Sequence, residues 1–366
     1  MAKSLAAPAK YFQGSTLLSD AYRYVSHLGR RFVVISDVRV KELIEDRIRE
    51  GFRSAGNPCI FLEFNGESSL QEINRLTKLV QEGEFGGIIG AGGGKTLDTA
   101  KLVADACGLP VVTVPTSASN DSPCSCVASL YTEDGRFLKL QRLKESPAVV
   151  LVDTEIIAKA PARLLTAGMG SAYASYYEAR ACQRAGVQNY TGGIRTHTAL
   201  TITELCRDLL LQYGKQAKQD VQAKTVTHAV EAIVEANIYL SGVGFVNSGC
   251  AASHGVYNGM TIALPSMKAM HGEGIAFGAL VQLVMEYSEE GQWNCEEWES
   301  TLSFYREVGL PRNFQHLGIP KADDDTLEQI AAAACLPDSN IYNMPFEITE
   351  KKVVQALKQL RNMELA

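Results

Sequence analysis

The stretch Gly86-Gly87-Ile88-Ile89-Gly90-Ala91-Gly92-Gly93-Gly94-Lys95-Thr96-Leu97-Asp98 runs a short apolar strand through three consecutive glycines into a helical pattern. Glycine lacks a Cβ, so such a bend turns tightly and lets an anion approach the main chain. The helix start that follows offers unpaired N–H groups and the positive end of the helix dipole, a combination that binds phosphate. Two familiar phosphate loops fail here. A P-loop requires glycine where Ile89 stands, and a G-x-G-x-x-G counted from Gly90 meets Lys95 in place of its last glycine. On these residues alone, a pyrophosphate cradle competes with a plain glycine-rich turn.

On either side of the bend, short β-rich runs alternate with amphipathic stretches. Residues 31–37, 59–64, 87–89, 110–116 and 148–153 read as strands, and Leu70 to Gln81 and Thr96 to Cys107 carry apolar residues at helical spacing. That alternation predicts a parallel sheet covered by helices on both faces. A hairpin is expected from 127–131 and 137–140, joined through Glu133-Asp134-Gly135, where aspartate and glycine tolerate positive φ. Beyond residue 153 the strand signal fades, and Pro161 opens a series of helical patterns that includes 200–213, 226–241, 276–287, 326–334 and 349–362. The reading is therefore an α/β dinucleotide-binding domain over 1–160 and an all-α domain over 161–366. The active site is expected in the cleft between the sheet's carboxyl edge and the helical half.

The bulk properties narrow the function classes. With 366 residues, 46% hydrophobic and 21% charged, the chain has ordinary globular composition and enough length for two domains. A net charge of −6, without clustered Lys/Arg among aromatics, argues against a nucleic-acid partner. The segment Met1 to Pro8 contains no continuous apolar region, and no long uncharged apolar run follows, so a cytoplasmic location away from membranes is expected. The nine cysteines are scattered, which suits reduced thiols; Cys124-Ser125-Cys126 is read as packing.

Of six histidines, His254 and His271 stand among small residues, in Ser253-His254-Gly255 and Met270-His271-Gly272-Glu273-Gly274. Their spacing matches no local metal motif, so on spacing alone a packed core imidazole is the favoured reading of each, with a metal ligand as the alternative. His27, His197, His228 and His316 read as surface or packing residues.

Four ordered blocks decide further: Gly92-Gly93-Gly94-Lys95-Thr96-Leu97-Asp98-Thr99-Ala100-Lys101, Val114-Pro115-Thr116-Ser117-Ala118-Ser119-Asn120-Asp121-Ser122-Pro123-Cys124-Ser125, Leu240-Ser241-Gly242-Val243-Gly244-Phe245 and His271-Gly272-Glu273. Together they resemble the glycerol dehydrogenases of the iron-containing alcohol dehydrogenase superfamily, from Lys10-Tyr11-Phe12-Gln13-Gly14 to Asn343-Met344-Pro345-Phe346. The resemblance implies the dehydroquinate synthase-like fold, a Rossmann-like NAD domain followed by a helical metal and substrate domain. It also implies oxidation of small vicinal diols with NAD, and a homo-oligomer. Carried over by motif, Asp37 takes the adenosine ribose hydroxyls, and Gly92, Gly93 and Gly94, with Lys95 and Asp98 in the same run, take the pyrophosphate. Thr116 and Ser119 line the cofactor, and Ser125, Val127 and Tyr131 lie by the nicotinamide and its ribose. Asp121, Phe245 and Tyr257 face a small polyol or hydroxyketone. An Asx turn or helix cap is the alternative for Asp121.

The family's metal, usually zinc in the glycerol enzymes, is held by an aspartate and two histidines. His254 and His271 match the histidines, whereas the family's Gly-Met-Gly-Asp-Ala is met here by Gly168-Met169-Gly170-Ser171-Ala172. Ser171 brings a neutral hydroxyl to the position of the only anionic ligand, so the metal site is expected to be weakened. Tyr257 also stands where the family often has another histidine. Three activities stay open at this point: metal-assisted oxidation of diols, a metal-independent oxidoreductase using Asp121, Tyr257 or His271 for the proton, and NAD binding without dehydrogenase activity.

Overall fold

The computed structural model describes residues 2–363. Eight strands occur among them: β1 (Tyr11–Gly14), β2 (Phe32–Ser36), β3 (Ile60–Glu63), β4 (Gly87–Gly92), β5 (Val111–Pro115), β6 (Val127–Tyr131), β7 (Phe137–Arg142) and β8 (Val149–Asp153). Six form one sheet in the order β1-β8-β5-β4-β2-β3, with every pairing parallel, while β6 and β7 form the expected hairpin. The parallel sheet is buried on both faces, which is why its central strands read as continuous apolar runs. Within β2, Phe32 and Val34 pack into one core layer while Val33 and Ile35 pack into the other.

The helices on the sheet are α1 (Ala21–Val25), α2 (Val38–Arg53), α3 (Leu70–Gln81), α4 (Gly94–Cys107) and α5 (Thr154–Lys159). After Pro161, which directly precedes the first helical residue, come α6 (Ala162–Ala185), α7 (His197–Gln222), α8 (His228–Glu235), α9 (Ser241–Ser248), α10 (Ala252–Ala263), α11 (His271–Glu290), α12 (Cys295–Val308), α13 (Asp324–Ala334) and α14 (Glu350–Asn362). The helical half has its own large core, which also takes in Val150 and Val152 of β8 and Ala118 and Cys124 of the loop after β5. The two halves are thus cemented beside the sheet's carboxyl edge.

Two features depart from the sequence expectation. The helix read over 226–241 continues to Ser248 through a π-helical turn, Ala236–Leu240, between α8 and α9. His228–Ser248 is long and apolar enough to cross a membrane, but 83% of its most apolar window is buried in the protein core. The first residues also lie on the helical half rather than within the α/β layers: Ser4 meets Asn189, and the Ala6 N–H and carbonyl both bond the Asn247 amide before the chain enters β1.

Candidate active site

The chain leaves β2 toward one edge of the sheet (β3) and leaves β4 toward the other (β5), although β2 and β4 are paired neighbours. Ligands bind parallel α/β sheets at such a switch point, outside the carboxyl ends of the strands. Asp37 follows β2 there and caps α2, with Oδ1 accepting from the Val40 N–H at 2.9 Å. Gly93 follows β4 as the cap of α4 and offers no side-chain acceptor to the helix. A Cβ at Gly93 would find nothing within 4 Å, so an anion reaches this backbone unhindered. Thr116 is tied to the bend through its N–H and the Gly92 carbonyl, at 3.1 Å, and Ser119 Oγ bonds Ser117 and Asn120 beside it. These residues fit a dinucleotide. Lys95 sits at the rim: its Nζ pairs with Glu67 Oε2 at 2.5 Å and lies 4.8 Å from the Tyr131 ring centre. Burial, with the Asp98 and Glu67 charges, pushes the Tyr131 phenol up to about 12.

The loop between β5 and β6 is held from beneath by a buried lysine. Lys101 Nζ donates to Ser122 O (2.9 Å), Ser125 Oγ (3.0 Å) and Val127 O (2.6 Å), and meets Asp98 Oδ1 at 2.9 Å. Asp98 in turn accepts from Ser122 Oγ at 2.6 Å and the Ser129 N–H at 3.0 Å. The side chains of Asp98 and Ser125 thus also take part in the loop's internal bonding. Buried charges persist only when paired and hydrogen-bonded, and this node meets that condition. Val127 instead packs with Phe245 and Cys250 in a small cluster joining the two halves. Asp121 precedes the turn Ser122–Cys124 without a side-chain cap bond, so the capping alternative is not realised. Burial pushes its carboxyl up, and the His254 charge opposes that shift.

The opposite wall is built on α6, which packs at backbone contact on both sides. A Cβ at Gly168 would lie 2.0 Å from Ala118 O, and one at Gly272 would lie 1.7 Å from Ala167 O. Asn237 of the π turn ties this seam by donating to Ala118 O and Leu165 O, at 2.9 and 3.0 Å. His271 opens α11, where Glu273 accepts from the Met270 N–H at 2.8 Å and takes a two-point grip from Arg163. His254, on α10, bonds Glu178 Oε2 through Nδ1 at 2.7 Å, while Glu178 Oε1 accepts from the Ala251 and His254 N–H groups. The two imidazole centres stand 5.7 Å apart, and Tyr257 meets His271 edge to face at 4.9 Å. The expected pairing of these histidines is therefore present.

Electrostatics separates the two rings. Burial disfavours a charged His254, but Cys250 and Glu178 outweigh it and hold its pKa well above the usual range. Burial and the His254 charge push His271 down to about 3, which keeps it neutral. Burial, with Tyr131 across the cleft, pushes the Tyr257 phenol up to about 12.

The divalent metal implied by the resemblance does not fit the donors present. Ser171 is on α6 at the third ligand position, buried, and its Oγ has no hydrogen-bond partner. Among the described residues, the only group of three His, Cys, Asp or Glu donors within 4.8 Å of one another is Glu178, Cys250 and His254, which contains neither His271 nor Asp121. The sequence reading missed Glu178 and Lys101. Each is the single charge in a weakly polar helical stretch, 172–179 and 99–104, and that isolation is the available signal.

The first part of the chain, residues 8–154, matches the iron-containing alcohol dehydrogenase family. Glycerol dehydrogenase of Pseudomonas putida is 43% identical, over 98% of this chain and 96% of that protein. Among solved structures, a probable glycerol dehydrogenase from Sinorhizobium meliloti superposes with a TM-score of 0.91 at 37% identity, covering 98% of both chains. Glycerol dehydrogenase from Schizosaccharomyces pombe gives 0.93 at 34% identity, over 98% of this chain and 90% of that one. NAD and a metal ion belong to the general character of such oxidoreductases. With the α/β layers, the helical half and the cleft all shared with these relatives, the chain belongs to the iron-containing alcohol dehydrogenase family, on its glycerol dehydrogenase branch, and is an oxidoreductase.

Proposed function

We propose that this enzyme moves a hydride between a small vicinal diol, or its hydroxyketone, and NAD. The observation that carries the reading is the opposition of two surfaces: the open glycine bend at the β2/β4 switch point, and the His254–His271 pair seated across α6. The support from relatives is that their printed names specify glycerol dehydrogenase.

Asp37 would hold the ribose hydroxyls, and its carboxylate would repel a 2′-phosphate, which favours NAD over NADP. The N–H groups around Gly92, Gly93 and Gly94 would hold the pyrophosphate, with Thr116 and Ser119 alongside and Val127 and Tyr131 toward the nicotinamide. When bound, NAD supplies a hydride acceptor at nicotinamide C4. In the reductive direction hydride would add to the ketone carbon, and His254, held charged beside Glu178, would give its proton to the carbonyl oxygen; diol oxidation would run the same exchange backward. An imidazole backed by a carboxylate is suited to taking and returning a proton, and Glu178 fills that backing position. His271 and the protonated Tyr257 would orient the two substrate oxygens, with Asp121 and Phe245 closing the pocket. Zinc has no part in this reading, because the donor set does not fit it. The proposal includes a homo-oligomeric assembly in the cytoplasm and a division into units 1–160 and 161–366.

The test is NAD reduction by the purified protein on a panel of two- to four-carbon diols, alongside NAD titration. Turnover with vicinal diols in preference to simple alcohols is the expected result. Tight NAD binding with no turnover of any diol would replace the proposal with a dinucleotide-binding protein.

A further inference from the structure

We infer that this chain keeps no tightly held divalent cation at the position its family uses for one, and that a single residue on α6 is responsible. Donor chemistry and geometry support this independently of the diol reading.

A catalytic divalent site needs three protein donors, and a carboxylate is the usual anionic member when only two imidazoles are present. Position 171 supplies a neutral hydroxyl that does not ionise at neutral pH and has no partner in the structure. Among the described residues no other carboxylate joins the two imidazoles in a three-donor group. Glu178, two turns further along the same helix, has both oxygens occupied by three hydrogen bonds, to the Ala251 N–H, the His254 N–H and His254 Nδ1. Turning it toward His271 would break all three inside a buried pocket and leave orphaned donors there. Asp121 completes no set with the imidazole pair, since among the described residues no group of three donors within 4.8 Å of one another contains it. Tyr257 further occupies one side of His271 with its ring edge-on at 4.9 Å.

Substitution at this one position is also predicted to restore the site. Ser171 has an unpartnered Oγ and directly follows Gly170, which abuts the Gly272 carbonyl next to His271, so a carboxylate at 171 enters the wall that carries that imidazole.

The experiment measures zinc bound per chain by elemental analysis. The protein is purified from zinc-supplemented medium and dialysed, as wild type, Ser171→Asp and Ser171→Asn. The expected result is less than about one tenth of an equivalent for wild type and Ser171→Asn, and close to one equivalent for Ser171→Asp. A zinc-dependent rise in melting temperature should accompany Ser171→Asp alone. About one equivalent retained by the wild type overturns the inference, and so does a folded Ser171→Asp that gains none. Should Ser171→Asp fail to fold, the wild-type stoichiometry still decides. NAD titration of the same samples keeps the two proposals apart: a zinc-free protein that binds NAD but turns over no diol refutes the diol reading and leaves this inference standing.

Discussion

The two walls of the cleft are made of different material. The cofactor wall is mostly backbone: a glycine bend, the N-terminus of α4 and the ends of β2, β4 and β5. The opposite wall is side chains alone, contributed by three helices: Ser171 and Glu178 from α6, His254 and Tyr257 from α10, and His271 from α11. A wall made of main chain keeps its chemistry as long as the fold stands, because the N–H groups are present whatever the sequence. In a side-chain wall, a single substitution changes the donor set and leaves the fold intact, which is the effect inferred above for Ser171.

The largest break should come from the side-chain wall. His254→Asn is expected to lower kcat by roughly 10²–10⁴, the usual contribution of a positioned acid or base, while the NAD Kd stays within about twofold. Steady-state kinetics with parallel NAD titration separates the two. On the backbone wall, Gly93→Asp puts a carboxylate into the open cradle at an extended φ of −83°, which any residue adopts. NAD affinity should fall about 100-fold, or ~3 kcal/mol, without loss of melting temperature; an unchanged Kd would show that the cradle is not the pyrophosphate site. Glu178→Gln keeps the shape of the group and its acceptor for two N–H bonds but removes the charge behind His254. A kcat loss of roughly 10–100-fold with NAD binding unaltered is the expected signature of this positioning role.

The smallest effect is one of stability at the cofactor rim. Glu72 accepts from the Asn65 N–H and from Arg75. Burial pushes its carboxyl up, but these partners outweigh burial and hold it below the usual carboxylate range. A depressed folded-state pKa gives stability that is present above the unfolded-state value and lost as pH falls through the folded one. Glu72→Gln should therefore cost about 1 kcal/mol at pH 7, and the gap to wild type should close as pH falls below the usual carboxylate range, read by chemical unfolding across that range.

What the sequence disclosed follows the same division. Strand periodicity and the glycine bend located β2, β4, β5, β6 and α3 to within a few residues, because local chemistry alone specifies them. Asp37 and the imidazole pair were likewise legible, the latter through family motifs. The bond between Asp98 and Lys101 was not legible, because a carboxylate beside a phosphate loop looks the same in sequence whether or not it also pairs with a lysine one turn along its own helix; Lys101 is buried at 1% exposure. Glu178 and the π turn were invisible for a related reason: their partners, His254, Ala118 and Leu165, lie far away in sequence.

The π turn at Ala236–Leu240 has a further consequence for the geometry of the cleft. Inserting or deleting one residue in a helix rotates everything downstream by about 100°. The widened turn therefore sets the angular phase at which α9 presents Phe245 to the hairpin cluster and Asn247 to the N-terminal strap. Removing one residue there would swing both side chains away from their partners while leaving the helix apolar and unbroken, so the shape of the substrate pocket depends on helix register in addition to residue identity.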